Sequence, residues 1–269
     1  MTPSPAATVE AGGVALAYEE RGDGPAVVLV HGTATARTVW RETIDALGAT
    51  AVRTISYDRR AYGDSGAPEP YGGTTVGEQA DDLAKLVEAL EAAPATLCGH
   101  ELGALACLDL VVRRPELIAR AVLIEPPLLW MAATGTDAVG DLREAVASAA
   151  REEGAAGAVR AYLETVGGPQ VAELLGPDRL EASLAAPRAF AADLAAAASW
   201  AGGRRELSRV AMPVAVIAGA RSSPARREAA RAVADMIPGG GLVELDAGHF
   251  AHLEQPAEVA AAIRAGGGV

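Results

Sequence analysis

Cysteine, lysine, aromatic residues and long apolar runs are all scarce in this chain of 269 residues, and each scarcity excludes something. The two cysteines, Cys98 and Cys107, show no metal-type spacing and no disulfide framework. That suits a reducing cytosol with neither thiol in a bridge, so the expected location is cytoplasmic. Basic residues number 23 against 35 acidic ones, with Lys85 the single lysine, and the net charge is −12. Phosphate binding needs a basic surface, so no nucleic-acid partner is expected, and an anionic membrane face would repel the chain. No apolar run approaches the ~18 residues of a membrane span. The stretch Met1 to Thr8 lacks the positive and apolar regions of a secretory signal.

Half of the residues are apolar and 22% are charged, a globular composition of a length that suits one large α/β domain or two small ones. Short apolar runs lie at Ala26 to Val30, Ala51 to Tyr57, Ala95 to Cys98, Ala121 to Ile124, Val214 to Ala218 and Leu242 to Leu245. Runs this short and β-branched, flanked by turn residues, read as buried parallel strands. Amphipathic stretches separate them. The clearest starts at Thr75 with Glu78 as a capping box and keeps Val76, Ala80, Leu83, Val87 and Leu90 on one face. The pattern predicts an α/β fold, a mostly parallel doubly wound sheet with helices on both sides.

The rhythm breaks between Leu128 and about Arg209, where Ala-rich helical segments are punctuated by Gly154, Gly167, Gly168, Gly176 and Pro187. We expect a helical cap over residues 128–209, inserted in a core formed by residues 1–127 and 210–269. Trp130, Tyr162, Phe190 and Trp200 fall in the insertion. They either hold a helical subdomain together or line a substrate pocket, and Trp130 and Phe250 are the candidate substrate-binding residues. The chain has no internal repeat, and no heptad seam indicates an oligomeric state.

The strand ending at Cys98 runs into Gly99-His100-Glu101-Leu102-Gly103 and then a helix through Leu105, Leu108 and Val111. Small flanking residues let the central side chain of such a turn stand exposed on a strained backbone. This is the spacing of a nucleophile elbow with glutamate in place of serine, and it resembles the α/β-hydrolase superfamily. His31-Gly32-Thr33 is similar to that family's oxyanion-hole turn, in which N–H groups of Thr33 and Leu102 would act together. Asp58 to Gly66 is similar to its D-x-R-G-x-G-x-S loop, and Gly248 to Pro256 to the segment that supplies its catalytic histidine, here His249.

Two departures carry the functional reading. Glu101 offers no hydroxyl to deprotonate, so no serine acyl-enzyme can form. After Val214 to Ala218, the position where the family commonly has aspartate is Ser222. Glu125, at the end of Ala121 to Ile124, either supplies the acid that orients His249, as in haloalkane dehalogenases, or only hydrogen-bonds the cap entrance. Asp246 reads as a turn former, and His31, His100 and His252 as structural. The elbow is similar to the G-H-D-x-G of epoxide hydrolases and dehalogenases. Glutamate, however, reaches about 1.5 Å further than aspartate, and a misplacement of about 1 Å can cost on the order of a hundredfold.

The resemblance implies a cofactor-independent, metal-free enzyme acting on a small, largely apolar molecule such as an epoxide, ester, lactone or polyketide-like compound. The catalytic set would be Glu101, His249 and Glu125. Two alternatives stand beside it: a lyase, isomerase or cyclase of natural-product biosynthesis using Glu101 as general base, and a protein that binds a small molecule without catalysis.

Overall fold

The computed structural model describes residues 7–48, 52–200 and 202–265. Ala51, the start of one expected strand, and most of the N-terminal stretch lie outside them. Each apolar run is a strand whose alternate side chains enter opposite faces of one sheet. In β3 (Ala26–Val30), Val28 and Val30 join one core and Val27 and Leu29 the other. The same division holds in β6 (Ile118–Ile124) and β7 (Val214–Gly219), where Leu123 and Val216 face one side and Val122 and Ile217 the other. Burial on both faces explains why Ala26–Val30, Val214–Gly219 and the Ala121 to Ile124 part of β6 are uniformly apolar rather than alternating.

The sheet has eight strands in the order β1-β2-β4-β3-β5-β6-β7-β8, with β4 at Arg53–Tyr57, β5 at Ala95–His100 and β8 at Gly241–Leu245. All pairings from β4 through β8 are parallel. The strands β1 (Ala7–Ala11) and β2 (Val14–Arg21) add an antiparallel hairpin at one edge that the apolar runs did not reveal. Its signal is Gly12-Gly13, both at positive φ, which suits a two-residue hairpin turn.

Helices α1 (Arg41–Leu47), α2 (Val76–Ala89) and α3 (Leu102–Arg113) precede β6. The Thr75 side chain caps α2 by accepting from the Glu78 N–H at 3.1 Å. The reciprocal half of the expected capping box is absent, because the Glu78 carboxylate is drawn instead to Thr74 Oγ1 and the Arg60 guanidinium.

Between β6 and β7 come α4 (Gly135–Gly167, broken at Gly154), α5 (Val171–Leu175), α6 (Pro177–Leu184), α7 (Pro187–Ala196) and α8 (Arg204–Leu207). The chain closes with α9 (Pro224–Met236), α10 (Ala251–Glu254) and α11 (Pro256–Ala265). Side chains of α2, α3 and α9 pack one face of the sheet and those of α1 and α11 the other. Cys98 and Cys107 are buried and unpaired.

Candidate active site

Because β3 and β5 to β8 run parallel, the residues that follow them gather at one edge: Thr33, Glu101, Glu125, Ser222 and His249. Ligands of open α/β sheets bind at this edge.

Glu101 stands between β5 and α3 with φ 51° and ψ −118°. A non-glycine residue there carries a strain of about 1–3 kcal/mol, which the surroundings must impose. Its N–H donates to Ile124 O at 2.9 Å, and its carbonyl accepts from Ala104 N at 2.9 Å. A Cβ on Gly99 would lie 2.5 Å from Gly103 O, and one on Gly103 would lie 2.4 Å from the carbonyl oxygens of Val30 and His31. Only glycine at both positions lets strand and helix approach this closely.

The Glu101 side chain folds back over the N-terminus of α3. Its Oε2 accepts from Thr33 N at 3.1 Å and Leu102 N at 2.5 Å. The two N–H groups that the sequence marks as an oxyanion hole therefore converge on the protein's own carboxylate. The extra methylene of glutamate is taken up by this fold-back, an adjustment that a comparison of side-chain lengths cannot foresee.

The turn carrying Thr33 is held from below by Arg59, whose guanidinium donates to His31 O at 2.9 Å and Gly32 O at 3.0 Å. The same guanidinium grips Asp193 of α7 at 3.1 and 2.6 Å, and Tyr62 Oη donates to Asp193 at 2.8 Å. Burial pulls the Arg59 pKa down, and the Asp193 carboxylate more than reverses it.

His249 Nδ1 lies 2.7 Å from Glu125 Oε2, and Glu125 Oε1 accepts from Gly219 N at 3.0 Å. An ionised carboxylate can only accept, so Nδ1 carries the hydrogen and Nε2 keeps its lone pair. Nε2 has no hydrogen-bond partner among the described residues. Burial holds the His249 pKa well below its usual value, and the charge of Arg226 adds to this. Burial raises that of Glu125, against the pull of Arg226 and of the Ser222 hydroxyl beside it. Imidazole is thus kept neutral, with the Nε2 lone pair available to take a proton, and its ring lies tilted against that of His100 with centroids 4.5 Å apart. No hydrogen bond joins His249 to Glu101. Asp246 lies apart from this group, 85% exposed and paired with Arg221.

A cavity of about 650 Å³ opens over Glu101, walled largely by apolar side chains of the helices between β6 and β7. Trp130, 61% exposed, is on its wall. The other candidate substrate-binding residue, Phe250, is not. It is 1% exposed and packs on His100 and His249, because its place right after His249 turns it into the core. His249 and Glu125 also do not line the cavity.

Two buried polar residues of the wall lie outside the expected site set, Tyr162 and Arg226. The Tyr162 hydroxyl is buried beside the Glu101 carboxylate and meets no partner at good hydrogen-bond geometry among the described residues. Burial, and next the Glu101 charge, push its pKa well above the usual value, so it stays a proton donor. Sequence reasoning placed Tyr162 among the insertion's aromatics, which either hold a helical subdomain together or line a substrate pocket, without a chemical role. Arg226 has a signal that it overlooked: it lies on the α9 face made by Ala225, Ala229, Ala230 and Val233, an arginine within an apolar stripe.

Among the described residues, no group of three or more His, Cys, Asp or Glu could hold a metal ion, and no helix is long and apolar enough to cross a membrane.

A model of the alpha/beta hydrolase family matches residues 27–262. The chain is 35% identical over 104 residues to an epoxide hydrolase of Caballeronia sordidicola, covering 39% of this chain and 32% of that protein. Against the first five curated relatives, the matched stretch spans 32% to 41% of their length. A hydrolase from Pseudomonas aeruginosa superposes with a TM-score of 0.78 at 25% identity over 98% of both chains. A thermophilic esterase from Thermogutta terrifontis gives a TM-score of 0.78 at 26% identity over 97% of both.

Proposed function

The chain belongs to the alpha/beta hydrolase family, and from that premise we propose that it hydrolyses small molecules with the Glu101 carboxylate as the attacking group, an epoxide being the substrate class that suits the site best. The carrying observation is the double donation from Thr33 N and Leu102 N to Glu101 Oε2. These N–H groups are already engaged, which disfavours their use on the carbonyl of an ester or lactone. They anchor one carboxylate oxygen and leave Oε1 to attack carbon. The helices of residues 128–209 serve as a cap that shields this chemistry from bulk water. The relative in Caballeronia sordidicola is an epoxide hydrolase by name, which agrees with this reading.

In the first step Oε1 bonds to an epoxide carbon, the ring C–O bond breaks, and Tyr162 gives its proton to the departing oxygen. In the second, His249 Nε2 takes a proton from water as it attacks Cδ of the resulting ester. Charge then develops on Oε2, where the N–H groups of Thr33 and Leu102 already point. Collapse releases the diol, whose second oxygen comes from Oε1 and whose proton comes from His249. The carboxylic acid left on residue 101 returns its proton to Tyr162. Glu125 keeps the His249 ring in the tautomer that exposes Nε2.

A single turnover of an aryl epoxide in heavy-oxygen water tests this. The first diol should carry only light oxygen, and the label should appear in the Glu101 carboxylate. Heavy oxygen in that diol would replace covalent attack with direct activation of water. Product formed without any solvent oxygen over many turnovers would make Glu101 the base of an elimination or ring closure. In His249→Gln the ester should persist, as a mass gain equal to one epoxide.

A further inference from the structure

Four arginines of the described chain are buried, and three have carboxylate partners: Arg37 with Asp58 and Asp64, Arg59 with Asp193, and Arg60 with Asp82 and Glu78. Arg226 is the fourth. It is 7% exposed, it lies on the wall of the cavity that holds Glu101, and no ion pair engages it among the described residues. Among the described residues its Nη1 is buried without any hydrogen-bond partner. Of its donors, only the backbone N–H finds an acceptor there, in the cap of α9.

A guanidinium keeps its charge at any ordinary pH and offers a planar fork of donors that matches a carboxylate. Burying one without a partner is costly. The cost is understandable where a ligand brings the missing anion, and the cavity offers such a ligand a place. Apart from Glu101, Tyr162, Arg226 and the exposed Arg143, the wall is apolar. The facing Glu125 carboxylate is committed to His249 and Gly219, and it meets Arg226 only through its field.

We propose that Arg226 is the substrate-anchoring residue of this cavity and that the substrate carries a carboxylate on an apolar body, bound by the Arg226 guanidinium so that its electrophilic carbon faces Glu101. This deepens the hydrolase reading and rests on it for the position of the reacting carbon. It also narrows the expected apolar substrate to an amphipathic acid. A single guanidinium deep in an apolar wall suits a singly charged planar anion.

The test uses unreactive ligands, so its outcome does not depend on turnover. Binding of 3-phenylpropanoate and of its neutral isostere 3-phenylpropanamide is measured by titration calorimetry on the wild-type chain, Arg226→Gln and Arg226→Lys. A charge-assisted pair predicts that the wild type prefers the carboxylate by about tenfold or more. The ratio should fall to near one in Arg226→Gln and stay intermediate in Arg226→Lys. Equal affinities in the wild type, no carboxylate binding at millimolar concentration, or a preference that survives Arg226→Gln would overturn the proposal. If the Arg226 variants do not fold, a carboxylate preference that survives Arg143→Gln supports the proposal and one that is lost with it overturns it. Rates on 3-phenylglycidate and its amide then separate the two readings. If the binding preference holds while neither epoxide is opened, Glu101 catalysis fails and the anion site stands. If only the amide is opened and the preference is absent, the anion site fails and Glu101 catalysis stands.

Discussion

Arg59 and Arg226 are both buried, and their surroundings have opposite logic. Arg59 has Asp193 in a two-point grip and donates as well to the carbonyls of His31 and Gly32. The pair joins α7 to the turn that presents Thr33. Arg226 has Ala-rich packing behind it, a cavity in front, and an Nη1 without a partner among the described residues. Fully satisfied buried charge makes a rigid support, whereas unsatisfied buried charge is stability withheld for a ligand.

Removing the carboxylate of Asp193 should break the comparison most sharply. Asp193→Ala leaves the Arg59 charge buried and alone, which should cost about 3–5 kcal/mol in denaturant unfolding. A loss under about 1 kcal/mol would show that water or another group takes over, and that Arg59 is no different from Arg226. Replacing both partners, as Arg59→Met with Asp193→Leu, should recover most of that loss, since an apolar pair of similar volume is often neutral.

The converse variant sharpens the contrast by its sign. Arg226→Met should leave stability unchanged or raise it by about 1 kcal/mol while carboxylate binding is lost. A large destabilisation would mean that Arg226 supports the fold as Arg59 does.

The four histidines test the same principle through pH. Burial lowers the pKa of His31, His100 and His249 well below 6.5, and that of His252 to about 3. Such groups are neutral in the fold and take up protons on unfolding. Their contribution is whole above pH 6.5, the unfolded value, and is lost as pH falls from there toward the folded values. Unfolding free energy should therefore drop progressively below that pH. For the same reason the acid limb of the ester-hydrolysis rate, which needs neutral His249, should lie below the ordinary histidine range. A limb at or above that range would mean that Glu125 holds His249 as an imidazolium. The smallest effect belongs to Asp246→Ala at the exposed pair with Arg221, which should leave the melting temperature and the rate where they are.

Much of the architecture was legible because its signals are local. A strand such as Val214–Gly219 announces itself by β-branched residues in a short run, and the elbow by Gly99 and Gly103 around one side chain. The hairpin of β1 and β2 was missed because β1 is short and partly exposed and the apolar run Val14 to Tyr18 of β2 holds a single β-branched residue. The site was legible as a set of positions, since each lies just past a strand. The direction of each side chain was not. Glu101 turning back to its own helix N-terminus, Phe250 turning into the core and Tyr162 meeting Glu101 across 61 residues of chain all depend on packing between distant segments.

The sequence by itself determined the order of strands and helices, the tight turn at Glu101 and the absence of a hydroxyl there, because backbone preferences and residue chemistry act over a few neighbours. Which buried charges found partners was decided only by the tertiary structure. Arginine reads the same at positions 59 and 226 until folding brings an aspartate to one guanidinium and an empty space to the other.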